Sequence, residues 1–342
     1  MLVIHGIMMP DKPAAVISIL DQPGMPDNDT HAHSPRDYRP GFEWKFLAPA
    51  YWVTWFFIAL LRILVLLPLP VTHAIGRWLG RVYYRSNEKR RRIAGINVAL
   101  CYPEMDSQAQ DRLVRDHFEA FGANVFDLAM VWWAPQRRLN RLTRFHGLDD
   151  YRELLESGRN VILVTGHLVT VDLGAHIMSQ FKPGVTMMKP LKNPLLNWLI
   201  SRGRHRHGNL LYERSQGLRP LVRQLRKGRP CYFIPDEDFG AQAAVFAPFF
   251  GIQSWTVTSL STLAKLGNAV VMPVFTHSLP GGRGYEVFVG PAMNDFPAGD
   301  DIADATAMNA VLETGIDRMP AMYAWTFKLF KTRPEGEENP YP

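Results

Sequence analysis

From residue 161 to residue 318 the chain alternates short apolar, β-branched runs with stretches of helical periodicity. No other feature restricts its architecture so strongly. Candidate strands lie at 161–165, 185–188, 231–235, 245–249, 269–275 and 285–289, and candidate helices near 170–179, 193–206, 216–227, 255–266 and 303–318. Runs that are apolar throughout, rather than on alternate residues, belong to strands buried on both faces, so helices must cover the sheet on each side. The expected fold class is therefore α/β, with a mixed central sheet flanked by helices. The glycines of Gly281-Gly-Arg-Gly284 read as a hairpin turn and not as a phosphate loop, since no helix follows them. There is no internal repeat.

Upstream the pattern changes. Residues 46–69 are almost wholly apolar and aromatic, with Trp52, Trp55, Phe56 and Phe57 close together. The run is long enough for one helix to span a bilayer. Arg62 inside it and Pro49 near its start keep open an amphipathic helix lying in the interface, or a buried core helix. Arg77, Arg81, Arg85 and Lys89-Arg-Arg-Arg92 follow, whereas Arg36, Arg39 and Lys45 before it are diluted by acids. The positive-inside rule then puts the chain after residue 77 in the cytoplasm. Helical periodicity continues to about residue 130, with Asp106-Ser107 as its cap and Trp132-Trp133-Ala-Pro135 as its stop. The expected organisation is a poorly ordered extension over 1–44, a membrane anchor over 45–70 and one large domain over 71–342. The extension is rich in breakers and lacks the pattern of a secretory signal peptide.

The 342 residues are 47% hydrophobic, ample for a core, and the two cysteines, Cys101 and Cys231, share no motif. A disulfide framework or a zinc site is not expected, and a reducing compartment fits. The net charge of +6 is concentrated. Twelve Lys or Arg residues fall between Lys182 and Arg229 against a single acid, Glu213. Such a block selects anionic partners. Nucleic acid is one candidate, but few aromatics accompany the cations and no reader motif is present. Phosphorylated lipid and an acidic carrier protein are the others.

The chemistry concentrates in Thr165-Gly-His167-Leu-Val-Thr-Val-Asp172, where an apolar strand delivers a histidine and, five residues later, a carboxylate. On one continuous helix the two would stand roughly 140° apart and could not touch. They meet only if His167 occupies the turn and Asp172 the first turn of the following helix, where the dipole also favours it. An imidazole with one nitrogen fixed by an acid has the other free to accept a proton, which is the layout of a general base. The bland alternative is a turn histidine beside a helix N-terminal acid. A second acidic spot, Ile234-Pro-Asp236-Glu237-Asp238-Phe-Gly240, directly follows a strand and could position a substrate, bind a cation or only form a turn. No Gly-x-Ser-x-Gly elbow, GxxxxGK[ST] or His-Glu-x-x-His occurs, and no metal site is expected, His31 and His33 lying in the extension.

Taken together, these passages resemble the late acyltransferases of lipid A biosynthesis, the lauroyl and myristoyl transferases of the Gram-negative inner membrane. The likeness runs from about residue 45 to the C-terminus. It is carried by Arg90-Arg-Arg-Ile-Ala-Gly-Ile-Asn97 with Cys101-Tyr-Pro-Glu104, Thr-Gly-His167-x4-Asp172, Lys192-Asn-Pro-Leu-Leu-Asn-Trp198, Pro235-Asp-Glu-Asp-Phe-Gly240 and Phe330-Lys-Thr-Arg-Pro-Glu-Gly336. The glycerol-phosphate branch of His-x4-Asp acyltransferases would show a Phe-Pro-Glu-Gly-Thr-Arg element where this chain has Ile234-Pro-Asp-Glu-Asp.

The resemblance implies that 71–342 is an acyltransferase domain at the cytoplasmic side of the inner membrane. Its donor would be a fatty acyl thioester on acyl carrier protein and its acceptor a hydroxyl of an anionic lipid A precursor, with no cofactor, metal or nucleic acid. His167 is then expected to deprotonate the acceptor hydroxyl and Asp172 to orient it. Lys189, Arg202 and Arg204 are expected to meet headgroup phosphates, with Asp236 and Asp238 supporting the site. An acyltransferase for another glycolipid or phospholipid, or a membrane-associated binding protein without turnover, would keep the same anchor and cationic block. The acyl chain length stays open: Asp172 and Pro-Asp-Glu-Asp lean toward myristoyl transferases, Thr165 to Thr170 toward lauroyl ones.

Overall fold

The computed structural model describes residues 36–238, 240 and 243–341. Residues 1–35, which hold most of the expected extension together with His31 and His33, lie outside these. Seven strands form one mixed sheet: β1 (Thr143–His146), β2 (Asn160–Val164), β3 (Val185–Met188), β4 (Leu210–Glu213), β5 (Cys231–Phe233), β8 (Ala269–Ser278) and β9 (Tyr285–Val289), in the spatial order β1-β9-β8-β2-β5-β3-β4. Only β8 and β9 pair antiparallel; the other neighbours are parallel. Val161 to Val164 are at most 2% exposed, as befits a central strand covered on both faces.

Between the strands run α6 (Leu148–Glu156), α7 (Val171–Met178), α8 (Pro194–Arg204), α9 (Arg219–Leu225), α10 (Ser259–Gly267) and, after β9, α11 (Asp301–Arg318). The mixed sheet with flanking helices agrees with the expected fold class. Three strands were not foreseen: β1, β4 and β7 (Ile252–Val257). The last occupies ground expected to begin a helix at 255, and it pairs antiparallel with β6 (Ala244–Phe249) as a separate hairpin. Its Ile-Gln-Ser-Trp-Thr-Val run alternates, whereas helical periodicity starts at Ser259.

The apolar run at 46–69 is not one helix. After two short 3-10 turns it forms α1 (Trp52–Leu64, 13 residues), breaks at residues 65–68 and resumes as α2 (Leu69–Ser86). Pro68 has no N–H to continue α1, and with Pro70 it begins a new helix where those donors are spare anyway. Among the described residues no helix is long and apolar enough to cross a membrane. α1 buries only Ile58. Its inner side packs with Phe46 on Leu195, Leu196 and Leu199 of α8, while Trp52, Val53, Phe56, Leu60 and Ile63 face outward, followed by Leu66 and, on α2, Val71, Trp78 and Val82.

α3 (Glu88–Cys101), α4 (Ser107–Trp133) and α5 (Gln136–Leu142) complete the helices. Asp106 caps α4 through the Ala109 N–H, and Ala134-Pro135 ends it. α2 and α4 cross at glycines: a Cβ on Gly80 would lie 2.1 Å from the Phe118 carbonyl, and one on Gly122 2.1 Å from that of Gly76. Beside this crossing the buried Asp127 carboxylate receives His73 Nε2 at 2.8 Å, Tyr285 at 2.5 Å and Ser278 at 3.2 Å, tying the helices to β8 and β9.

Candidate active site

Four parallel strands, β2, β5, β3 and β4, end along one edge of the sheet, and the chemistry-bearing groups follow those ends. Val164 of β2 pairs in register with Phe233 of β5. Three residues beyond each stand His167 and Asp236. The Asp236 carboxylate brackets the histidine: Oδ1 lies 2.6 Å from Nδ1 and Oδ2 accepts the His167 backbone N–H at 2.7 Å. The turn between strand and histidine is tight: a Cβ on Gly166 would stand 3.1 Å from Asp236 Oδ2 and 3.3 Å from the Tyr323 ring, so either side chain would have to give way by a few tenths of an ångström. The turn is fixed from the other side by residues 322–324. Val169 N–H donates to the Met322 carbonyl at 2.7 Å and Ala324 N–H to that of His167 at 3.0 Å, and the Phe327 ring lies 5.2 Å from the imidazole. Arg90 and Asn97 of α3 hold this segment through the carbonyls of Thr326, Trp325 and Phe327.

The electrostatics follow. Asp236, 3% exposed at its side chain, would be driven toward its neutral form by burial, but the His167 charge and the two hydrogen bonds hold it below the usual carboxylate range. Burial pulls the His167 imidazole downward, and Asp236, helped by Glu237, more than offsets this, so it stands above its ordinary value. With Nδ1 donating to Asp236, the neutral imidazole presents an unprotonated Nε2. Glu237 Oε2 is 3.9 Å from that nitrogen and 3.6 Å from Arg214 Nη2. Burial raises Glu237 above the usual carboxylate range, only partly opposed by His167 and Arg214.

The expected partnership of His167 with Asp172 does not form. Asp172 lies in the first turn of α7, as anticipated, but its carboxylate receives Arg204 from the last residue of α8, Nε to Oδ1 at 2.6 Å and Nη2 to Oδ2 at 3.0 Å. The forked pair joins a helix N-terminus to a helix C-terminus, each charge favoured by the dipole it meets. Arg204, expected at a headgroup, is thereby occupied. The two acids have exchanged places relative to the expectation: the positional neighbour of His167 is Asp236, from an adjacent strand 69 residues on.

Asp238 is buried, accepting the Thr332 N–H at 3.0 Å and the Gly240 N–H at 2.8 Å with Lys331 3.8 Å away, and so anchors the C-terminal tail behind the site. Lys189 is exposed just past the end of β3, on the same edge of the sheet as His167. Arg202 is exposed on α8, its guanidinium 5.6 Å from the centre of the Trp198 ring. Glu237 was read in the sequence only as part of the acidic cluster after β5 and Arg214 only as one cation of the block, and Tyr323 was not singled out. Among the described residues no three His, Cys, Asp or Glu side chains are grouped to hold a metal ion, and Cys101 and Cys231 are buried free thiols.

A family profile described as bacterial lipid A biosynthesis acyltransferase matches residues 39–332. The chain is 34% identical to a lipid A biosynthesis lauroyltransferase of Escherichia coli K12 over 303 residues, 88% of this chain and 99% of the relative. It is 32% identical to a lipid A biosynthesis palmitoleoyltransferase of the same organism, covering 88% and 98% of the two chains. With a lipid A biosynthesis myristoyltransferase, also from Escherichia coli K12, the identity is 30% and the coverage 89% and 95%.

Proposed function

The chain belongs to the bacterial lipid A biosynthesis acyltransferase family, and from that premise we propose that it moves a fatty acyl chain from an acyl carrier protein thioester to a hydroxyl of a lipid A precursor, with His167 as the general base. The observation that carries this reading is the bracketed imidazole. Asp236 fixes Nδ1 and the backbone N–H of His167 at once, leaving Nε2 free on a side chain 21% exposed at the open edge of the sheet.

In the reaction Nε2 takes the proton of the acceptor hydroxyl as that oxygen attacks the thioester carbon. The C–O bond forms, the C–S bond breaks, and the imidazolium returns its proton to the leaving thiolate. Asp236 is the positioning acid. Its negative charge stabilises the imidazolium while that proton is carried, as a buried carboxylate does for a catalytic histidine. Asp172 and Arg204 act one step removed, by setting α7 against α8 immediately after the His167 turn. Lys189, on the same edge, is the candidate for an acceptor phosphate, and Arg202 the weaker one. On this reading the enzyme sits on the inner membrane as a monotopic protein with the sheet on the cytoplasmic side, which the exposed apolar residues of α1 and α2 support.

The test is acyl transfer by purified protein from C12, C14 and C16 acyl carrier proteins to a tetra-acylated precursor. Transfer of one chain length should dominate, and His167→Ala should lower kcat by about 10²–10⁴-fold with the fold intact. Retention of a tenth of wild-type turnover by that variant would remove His167 from the chemistry.

A further inference from the structure

A cleft of about 270 Å³ opens where α1 meets α2, lined by Pro68, Leu69, Pro70, Arg138, Arg141 and Leu142. None of its walls belongs to the His167 site. Arg138 donates to the carbonyls of Val65 and Leu67, which the broken end of α1 leaves without intrahelical partners. Its guanidinium is thus fixed in the wall with further N–H groups to spare. Arg141, one turn on in α5, is exposed and takes part in no hydrogen bond or ion pair among the described residues.

The Gly281-Gly-Arg-Gly284 turn between β8 and β9 adjoins two of the lining residues. Gly282 presses on Pro70 and Gly284 on the Leu142 carbonyl, each so closely that a Cβ would sit 2.6 Å and 2.2 Å from those atoms. Arg283 between them is exposed, its Nε donating to the Pro280 carbonyl at 3.0 Å. No acid occurs at 44–87 or at 128–148, so the segments that build the cleft are uniformly cationic. Next to Pro68, Leu69 and Pro70 along the chain, Ile63, Leu66, Leu67 and Val71 are exposed. Clustered guanidiniums select a phosphate, and an apolar surface leading away from them selects one that carries hydrocarbon.

We propose that this cleft binds the phosphate headgroup of an anionic membrane phospholipid, through Arg138 and Arg141 with Arg283 of the adjoining turn adding to the positive field, while the acyl chains run along the outward face of α1 and α2. The inference rests on the membrane placement given above and adds a lipid-specific seat to it. β8 runs five residues past its pairing with the end of β2 before reaching the turn, so the seat lies beyond the same edge of the sheet as His167. Lipid bound there would turn that edge toward the bilayer.

The test is sedimentation of the full chain with sucrose-loaded vesicles of phosphatidylcholine alone, or of phosphatidylcholine with roughly one-third phosphatidylglycerol. Each basic residue at an anionic surface is worth roughly fivefold in partitioning. Arg141→Glu with Arg283→Glu should therefore lower partitioning onto the phosphatidylglycerol vesicles by about tenfold or more. Partitioning onto phosphatidylcholine should not change, and Arg141→Lys with Arg283→Lys should restore most of the difference. Undiminished binding of the Glu variant to phosphatidylglycerol would overturn the proposal, as would equal loss on both vesicles. Inorganic phosphate that releases the wild type, where chloride of equal ionic strength does not, would mark a free-anion site and overturn the lipid assignment. Acyl transfer to detergent-dispersed acceptor should be unchanged in the Glu variant, so a failure of the catalytic reading and a failure of the lipid seat are read in separate assays.

Discussion

At the scale of the residue, His167 pulls stability and activity in opposite directions with pH. The folded imidazole holds its proton more tightly than the unfolded one. Its contribution to stability is full below roughly pH 6.5 and fades as pH rises through the raised folded value. Asp236, held below its ordinary range, contributes above the unfolded carboxylate value and loses that contribution as pH falls through its lowered one. The proposed mechanism needs the neutral imidazole. We expect kcat/KM to rise with pH along a limb whose midpoint lies above the ordinary imidazole value, while resistance to urea declines over the same interval. Asp236→Asn removes the charge that offsets burial, so the limb should move to lower pH as the plateau rate falls by about 10²-fold or more. A pH–rate profile in which the Asn variant keeps the wild-type midpoint would show that Asp236 does not tune the base.

The element scale explains what the sequence could and could not disclose. The strand before His167, the helix start near residue 170 and the acidic cluster after residue 234 were all legible, because apolar runs and caps are local signals. Which acid faces the histidine was not. Spacing along the chain offered Asp172, five residues away, but the choice depends on β2 and β5 lying side by side with Val164 opposite Phe233, and strand order is a tertiary fact. The hairpin of β6 and β7 was half missed for a similar reason, its second strand running straight into a helix. A double-mutant cycle separates the two roles. Asp172→Asn and Arg204→Met should each cost roughly 1–3 kcal/mol in urea unfolding. Their coupling should exceed about 0.5 kcal/mol, whereas that between Asp172→Asn and His167→Ala should fall below it. The crossing of α2 with α4 makes a further demand. Gly122→Ala forces a methyl onto the Gly76 carbonyl, and we expect a loss of about 1–3 kcal/mol or more by the same measurement.

At the scale of the whole molecule, the apolar N-terminal run shows how one composition can serve two geometries. Its length matched a membrane span, yet Pro68 divides it, and the resulting α1, at 13 residues, is about two-thirds of the length that crossing needs. What remains is a broad outward face: Trp52, Phe56, Ile63 and Leu66 are each more than 60% exposed, and Trp78 more than half. An apolar patch of this kind marks a surface that is covered in use, and its position beside α8, which follows β3 and the sheet edge that carries His167, ties the patch to the candidate site. The consequence is that membrane contact and catalysis should be separable. Phe56→Asp with Ile63→Asp should reduce binding to neutral and anionic vesicles alike, because the loss is of buried apolar area and not of charge. The same variant should transfer acyl chains at the wild-type rate when the acceptor is dispersed in detergent, and more slowly when the acceptor is embedded in vesicles. A variant that bound neutral vesicles as well as the wild type would show that the bilayer meets another face of the molecule.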